Sequence, residues 1–397
     1  MKSAAAVFAA VLLLAGGVSS AAAPQDDLAK KLTDTFGGAA DWLISQQDAS
    51  GAWKSGPADK AVPSPAITGL CVAALGGAPA AHKGKVKPAL DKGVAYLLSK
   101  LNADGSVGEG PTGTFVKTYA TGCAMMGLAT VERTDKVADA LRGMQAYMKQ
   151  NQLKEGKNIG GTGYGDESPG GRKGIANLST TGFSAEGMHV SGLPQDDEYW
   201  KLVVKFVRKC QNNSELNNDP EFIAELKAKN LVVGNDGSLY YAPDPGQQKL
   251  PPKKVADKES IAGYGSMTYD GIKTYLYAGL KKDSPEVKSA VDWVRKNYSV
   301  EVHPGFPFDA AQRQHQRGLY HYFLVMARAL DALGENPFET FDGKKHNWAN
   351  EIGEQFVKLV KESKMWQNEN PAWFEGDPVL TTSYVLVTCN TLLKNVK

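Results

Sequence analysis

The sequence predicts an all-α protein built as a ring of six helical hairpins, and three observations carry that prediction. Six segments share one small residue followed by an apolar run at helical spacing. Each is preceded by a more polar, amphipathic helix that carries an aromatic residue, and a short turn joins the two. Such hairpins cannot bury their apolar faces singly, so they are expected to stack with the apolar helices inside and the amphipathic helices facing water.

Residues 1–23, "MKSAAAVFAAVLLLAGGVSSAAA", read as a secretory signal peptide: Lys2 is the positive region, Ala4 to Ala15 the apolar stretch, and small residues follow. The expected location is therefore outside the cytoplasm, periplasmic or secreted. Residues 24–397 then form one ring domain. The first hairpin pairs the helix around Trp42 with "ITGLCVAAL" around Gly69, through the turn "QDASGAW". The second pairs Tyr96 with "ATGCAMMGL" around Gly122 through "NADGSVG", and the third pairs Tyr147 with "TTGFSAEGM" around Gly182 through "GGTGYG". In the fourth, Trp200 precedes "YDGIKTYLY" around Gly271, with the turn "GNDGSLY". The fifth joins Trp293 to "QRGLYHYFL" around Gly318 through "HPGFPF", and the sixth joins Trp348 to "TTSYVLVTC" around Ser383 through "NENPAWF". The longest spacing, from Gly182 to Gly271, marks an inserted segment at about 213–260, either a lid or a solvated excursion.

Composition excludes several function classes. Lys and Arg number 45 against 43 Asp and Glu, a net charge of +2, so no concentrated basic face calls for nucleic acid. Cys71, Cys123, Cys210 and Cys389 lie far apart without a CxxC pair, which argues against a paired-cysteine metal site, and three sit in apolar helical stretches as small buried hydrophobes. Beyond the signal peptide no apolar segment is long enough to span a membrane. The glycine-rich "GGTGYGDESPGG" at 160–171 is preceded by a helical pattern, not a strand, so it reads as a turn rather than a phosphate cradle, with Ser179 or Thr180 expected to cap the next helix.

"WLISQQDASGAW" carries the QxxxGxW turn at Gln47, Gly51 and Trp53, and resembles that of the squalene and oxidosqualene cyclases and the protein prenyltransferase β subunits. In later copies the Trp position is read as Ser106, Tyr164, Leu239, Phe306 and Trp373. The resemblance extends over nearly all of residues 24–397 and implies an (α/α)6 toroid around a central cavity. It also implies that Gln47 and Trp53 tie helix to turn. The superfamily's chemistry maps less well: there is no DxDD motif to protonate an alkene, and where the prenyltransferases hold zinc through a pattern resembling D-G-C and Y-H, Asp270, Gly271, Tyr320 and His321 match but Ile272 replaces the Cys. No metal and no other cofactor is expected.

The repeat serves as its own control. The residues one before and three after each small position share a helix face. They read Thr68 and Val72, Thr121 and Met125, Thr181 and Ala185, Asp270 and Thr274, Arg317 and His321, Thr382 and Leu386. Only the fourth and fifth copies place ionisable groups there. Asp270 and His321 are therefore candidate catalytic residues, His321 as acid/base, and Arg317 a candidate for an anionic group; an Asp270–Arg317 pair between neighbouring helices is the structural alternative. Tyr275, Tyr320 and Tyr322 are candidate ligand-binding aromatics, or else ordinary helix packing. Glu186 is the third catalytic candidate: buried in the middle of an inner helix, it needs a partner or has its pKa raised into general-acid range. The E-x-x-H pair of Glu186 and His189 lacks the second pair that a carboxylate metal site needs.

The expected function is an exported repeat protein whose central cavity binds an apolar or amphipathic small molecule without the superfamily's standard catalysis. The alternatives are an acid/base enzyme on an isoprenoid or carbohydrate, and a scaffold for another protein. An open, carboxylate-bearing centre favours the enzyme, and a packed centre the scaffold.

Overall fold

The computed structural model describes residues 24–56, 60–108, 116–165 and 175–396. The signal peptide expected at 1–23 lies outside the described residues, as does part of the glycine-rich stretch.

Six buried helices form the inner layer: α2 (Pro65–Gly76), α4 (Lys117–Leu128), α6 (Leu178–Val190), α9 (Gly265–Tyr277), α11 (Leu319–Leu333) and α13 (Pro378–Asn395). Each packs on the next, and α13 packs back on α2, so the layer closes on itself. Around it lie α1 (Pro24–Ser45), α3 (Lys83–Ser99), α5 (Asp135–Asn151), α7 (Glu198–Lys209), α10 (Pro285–Lys296) and α12 (Trp348–Leu359). The inner helices are buried all round; in α9 every residue except Leu276 is. The outer ones bury one stripe, as in α7 with Tyr199, Trp200, Val203, Val204, Phe206 and Val207. Within the inserted segment run a short helix α8 (Pro220–Ala228) and strands β1 (Leu231–Val232), β2 (Lys253–Val255) and β3 (Lys258–Ser260), ordered β1-β3-β2.

Local chemistry starts these helices where the sequence changes character. Ser64 caps α2 by accepting from the Ile67 amide, with Pro65 in the first turn. The cap of α6 is Asn177, whose side chain accepts from Thr180 N at 2.8 Å, and not Ser179 or Thr180. Asn takes the role because it stands in extended backbone just ahead of the first turn.

One device recurs around the ring and sets its register. A threonine near the start of an inner helix accepts a hydrogen bond from a backbone amide in the preceding turn: Thr68 from Trp53 (3.0 Å), Thr121 from Val107 (2.9 Å), Thr181 from Thr162 (3.0 Å), Thr268 from Leu239 (3.1 Å) and Thr382 from Trp366 (3.1 Å). Trp53 and Trp366 also donate their indole N–H to the outer helix, to Leu43 O and Phe356 O. The sixth counterpart of Trp53 is thus Trp366, not Trp373, and the second and third are Val107 and Thr162, not Ser106 and Tyr164. Gln47 ties its turn as the resemblance implies, donating to Gly51 O and Ala89 O. Gly69 shows why a small residue follows the threonine: a Cβ there would lie 2.5 Å from the Cys123 carbonyl carbon of α4.

Candidate functional site

The threonine device changes the reading of the fourth copy. Its threonine is Thr268, so Asp270 stands two residues after it and Lys273 five after it. In α6, counted from Thr181, those positions are Phe183 and Glu186. Lys273 and Glu186 are therefore neighbours at one depth on adjacent inner helices.

They are paired. The Lys273 ammonium donates to Glu186 Oε2 at 2.8 Å and lies 2.8 Å from Asp270 Oδ1, while Arg328 Nε of α11 is 3.2 Å from Glu186 Oε1. Asp270, Lys273 and Glu186 are all at most 2% exposed. Burial works against the ionised form of Glu186, but Lys273 and Arg328 outweigh it and hold its carboxyl below the usual range. Burial likewise opposes the charged Lys273, yet Asp270 and Glu186 hold its pKa above normal. Asp270 is different. Its contact with Lys273 is off hydrogen-bond geometry and neither of its oxygens has a hydrogen-bond partner, so burial dominates and pushes its pKa up to about 6. The carboxylate rests on the backbone of α6 at Gly182, where a Cβ would lie 2.1 Å from Oδ2.

His321 approaches from α11. Its ring stacks on Phe183 of α6 at 5.7 Å and lies 5.9 Å from Tyr384 of α13. Helices α6 and α11 are separated in the ring by α9, so the Phe183–His321 stack and the Glu186–Arg328 pair both reach across the interior, one above the other. They form a floor beneath the end where the inner helices begin. At that end, Tyr119, Tyr164, Trp373 and Tyr384 are half-buried, and Tyr119 packs on both Phe183 (5.0 Å) and Tyr164 (5.9 Å). Burial first, then the charge of Lys273, lowers the His321 pKa to about 4, so the imidazole is neutral at pH 7; its Nε2 has no hydrogen-bond partner. The first turn of α11 is held by Glu375, which accepts from Tyr320 N (3.2 Å) and His321 N (2.7 Å) and from the Asn368 side chain (2.6 Å). Burial nonetheless pushes Glu375 up to about 7.

Several sequence expectations are corrected. No Asp270–Arg317 pair forms: Gly318 is the residue before α11, at φ 64°, so Arg317 lies outside the helix and does not share a helix face with His321. Its guanidinium sits over Trp373, 5.1 Å from the ring centre. Tyr275 and Tyr322 face the outer layer, where their hydroxyls are satisfied by donating to Gln211 Oε1 (3.0 Å) and Ser299 O (2.7 Å) in the turns after α7 and α10. Tyr320 stays near the mouth, and burial with the charges of Glu375 and Glu369 raises its pKa. Glu186 takes the partnered alternative, and His189 stacks on Tyr277 at 3.9 Å. The four cysteines are free and buried.

Sequence reasoning missed Lys273, Arg328, Glu375, Tyr119 and Phe183. For Lys273 and Arg328 a signal existed: each is a cation inside a helix otherwise patterned for full burial, where a charge needs a partner. Glu375 and the aromatic floor carry no such mark.

No protein-family model matches this chain, and no curated protein is similar to it by sequence. Solved structures are. Type II terpene cyclase MstE from Scytonema, in complex with the product merosterolic acid A, superposes with TM-score 0.55 at 15% identity, covering 93% of this chain and 99% of that one. MstE in complex with the substrate geranylgeranyl dihydroxybenzoate gives TM-score 0.53 at 13% identity over 93% and 99%. The family 76 glycoside hydrolase (mannosidase) Bt3792 from Bacteroides thetaiotaomicron gives 0.56 at 12% identity over 91% and 98%. With its closed inner layer and enclosing outer helices, the chain has the α/α-toroid fold of these terpene cyclase and glycoside hydrolase structures.

Proposed function

We propose that the mouth of the ring binds an apolar or amphipathic small molecule against its aromatic floor. The observation that carries this reading is the pairing of two features at one place. Half-buried aromatic rings, Tyr119, Tyr164, Tyr384 and Trp373, lie at the end where the inner helices begin, and the buried polar atoms Asp270 Oδ2 and His321 Nε2 have no hydrogen-bond partner. An apolar body gains contact area on the rings, and a ligand hydroxyl gains the hydrogen bonds that these atoms lack, each worth on the order of 1 kcal/mol. The prenylated substrate bound by MstE supports an apolar body of this kind. The chain has no DxDD motif, so the reading is one of binding without polyene protonation.

Calorimetric titration of the protein with 1-dodecanol, below its solubility limit, tests it. One molecule is expected to bind per chain, and Phe183→Ala to weaken binding at least tenfold. Absence of saturable binding to the unaltered protein sinks the reading. A second reading, proton donation by Asp270 to a bound substrate, is favoured by its pKa near 6 and its free oxygen. Product analysis after incubation with isoprenoid alcohols, with Asp270→Asn as control, decides it. Export through residues 1–23 belongs to the same proposal, and cell fractionation of the full-length chain checks it.

A further inference from the structure

Arginines elsewhere in the molecule have partners. Arg142, Arg208, Arg295, Arg313 and Arg328 each face a carboxylate, and Arg133 donates to Ser191 O. Arg317 alone among the described arginines has neither: it makes no ion pair or side-chain hydrogen bond among the described residues, and its Nε is buried without a partner. Its guanidinium is nevertheless placed with care. The carbon lies 5.1 Å from the Trp373 ring and 6.0 Å from Phe306, and the Arg317 carbonyl accepts from His303 Nδ1–H at 2.6 Å, the ring's Nε2 in turn accepting from Ser266 N.

The surface beneath the guanidinium is built at a cost in backbone conformation. Trp373 and Phe374 are consecutive left-handed residues, at φ 58° and 66°, a conformation that residues with a Cβ adopt only when the surroundings impose it. The indole lies directly on Gly318, where a Cβ would come within 2.1 Å of the ring. Asn368 and Asn370 fasten this loop to the facing one through Gln316 O (2.7 Å), Gln312 O (3.0 Å) and Arg313 O (3.2 Å). A half-buried guanidinium backed by rings and lacking a counter-ion presents its N–H edge to a planar or tetrahedral oxyanion. Tyr264 connects this position to the floor: it packs on Trp373 (6.1 Å) and Phe306 (5.2 Å), and the charges of both Arg317 and Asp270 reach its hydroxyl.

We infer that Arg317 is an anion-binding group at the rim of the mouth, and that the ligand is an amphiphile with a carboxylate or phosphate head on Arg317 and an apolar body on the aromatic floor. This rests on the binding reading above and adds the charge of the head. Stacking keeps the guanidinium side chain from collapsing onto the surface, so little ordering remains when the anion arrives. Its partly desolvated position strengthens the ion pair relative to one in open water.

The test is calorimetric titration of the full chain with dodecanoate, dodecyl phosphate and 1-dodecanol, each below its micellar concentration. At least one anion is expected to bind tenfold or more tightly than the alcohol, and which anion is tighter identifies the head. Arg317→Met, which keeps an apolar contact with Trp373, removes that preference while leaving the alcohol's affinity and the melting temperature unchanged; Arg317→Lys, with charge but no fork, retains part of it. Equal binding of alcohol and anions to the unaltered protein overturns the anion site and leaves binding of an apolar molecule at the mouth standing, and so does an Arg317→Met protein that binds the anions as before. If no twelve-carbon compound binds, the proposed binding at the mouth fails. Benzoate and inorganic phosphate then judge Arg317 alone: binding lost in Arg317→Met sustains the anion site, and no binding overturns it as well.

Discussion

The two sides of the ring are held together differently. Where α2 meets α4, backbone touches backbone: Gly69 brings the helices so close that a methyl group would meet the Cys123 carbonyl carbon at 2.5 Å, and a Cβ on Gly127 would lie 2.7 Å from Gly69 O. Where α6, α9 and α11 meet, the contacts are the buried charges Asp270, Lys273 and Glu186, joined by the half-buried Arg328. Close packing of small residues stabilises by dispersion and exclusion of water. A buried ion cluster costs several kcal/mol of desolvation per ion and recovers it only with good geometry. One fold thus has a side built for cohesion and a side that gives up cohesion to place unpaired polar atoms beneath the mouth.

Removing the shared cation is the harshest test of that contrast. Lys273→Ala leaves two buried carboxylates facing one another, and chemical denaturation is expected to show a loss of about 3–5 kcal/mol. Replacing Asp270, Lys273 and Glu186 together by Leu, Met and Met is expected to be neutral or stabilising, by up to about 4 kcal/mol, because the desolvation cost goes with the charges. If the triple variant is as unstable as Lys273→Ala, the cluster is cohesive after all and the contrast fails.

On the packed side, Gly69→Ala is expected to cost about 1–3 kcal/mol, since the atoms it meets are backbone and cannot swing aside. Gly182→Ala meets the Asp270 carboxylate instead, at 2.1 Å. It is expected to cost less in stability but to displace that carboxylate, visible as a change in the pH dependence described next.

Protonation sharpens the comparison further. Asp270 is raised from 3.8 to about 6 in the folded chain, so the fold binds its proton more tightly than the unfolded chain does. Its contribution is fully present below about pH 4 and is lost as pH rises through 6. His321, lowered from 6.5 to about 4, runs oppositely: its contribution is present above about pH 6.5 and is lost as pH falls through 4. Between pH 4 and 6 the two slopes oppose. Asp270→Asn is therefore expected to make stability rise more steeply with pH across that window, and His321→Gln to make it rise less or fall. Denaturation midpoints measured at pH 4, 5 and 6 check both signs; identical slopes in all three proteins would remove the two groups from the account. The smallest effect is expected from His189→Ala at the opposite end of the ring, where the exposed imidazole stacks on Tyr277. A change within about 0.5 kcal/mol is anticipated by thermal denaturation.

Much of this architecture was legible in the amino-acid order. Apolar periodicity marked the inner helices, the polar stripe marked the outer ones, and Gln47, Gly51 and Trp53 named the turn that recurs between them. Register was legible only in part. Gly271 looked like the small residue of the fourth copy, but the hydrogen bond from Leu239 N to Thr268 places Tyr269 there instead. Asp270 stands out in the sequence as unusual, but its partner is Lys273 and not Arg317: the helix face compared between copies contains Asp270 and Thr274 and passes over Lys273 between them.

The sequence by itself determined what is local and periodic: which segments are helices, which faces are apolar, where turns must fall. Those properties depend on residues within a few positions of one another. Only the tertiary structure decided that Glu186 meets Lys273 and Arg328, that Phe183 meets His321 across the axis, and that Arg317 is left over Trp373 without a counter-ion. Closing the ring brings together side chains far apart along the chain, Lys273 and Glu186 standing 87 residues from one another. Whether a buried charge is then neutralised, raised or left unpaired depends on the few ångströms between helices, a quantity that no pattern along a single chain contains.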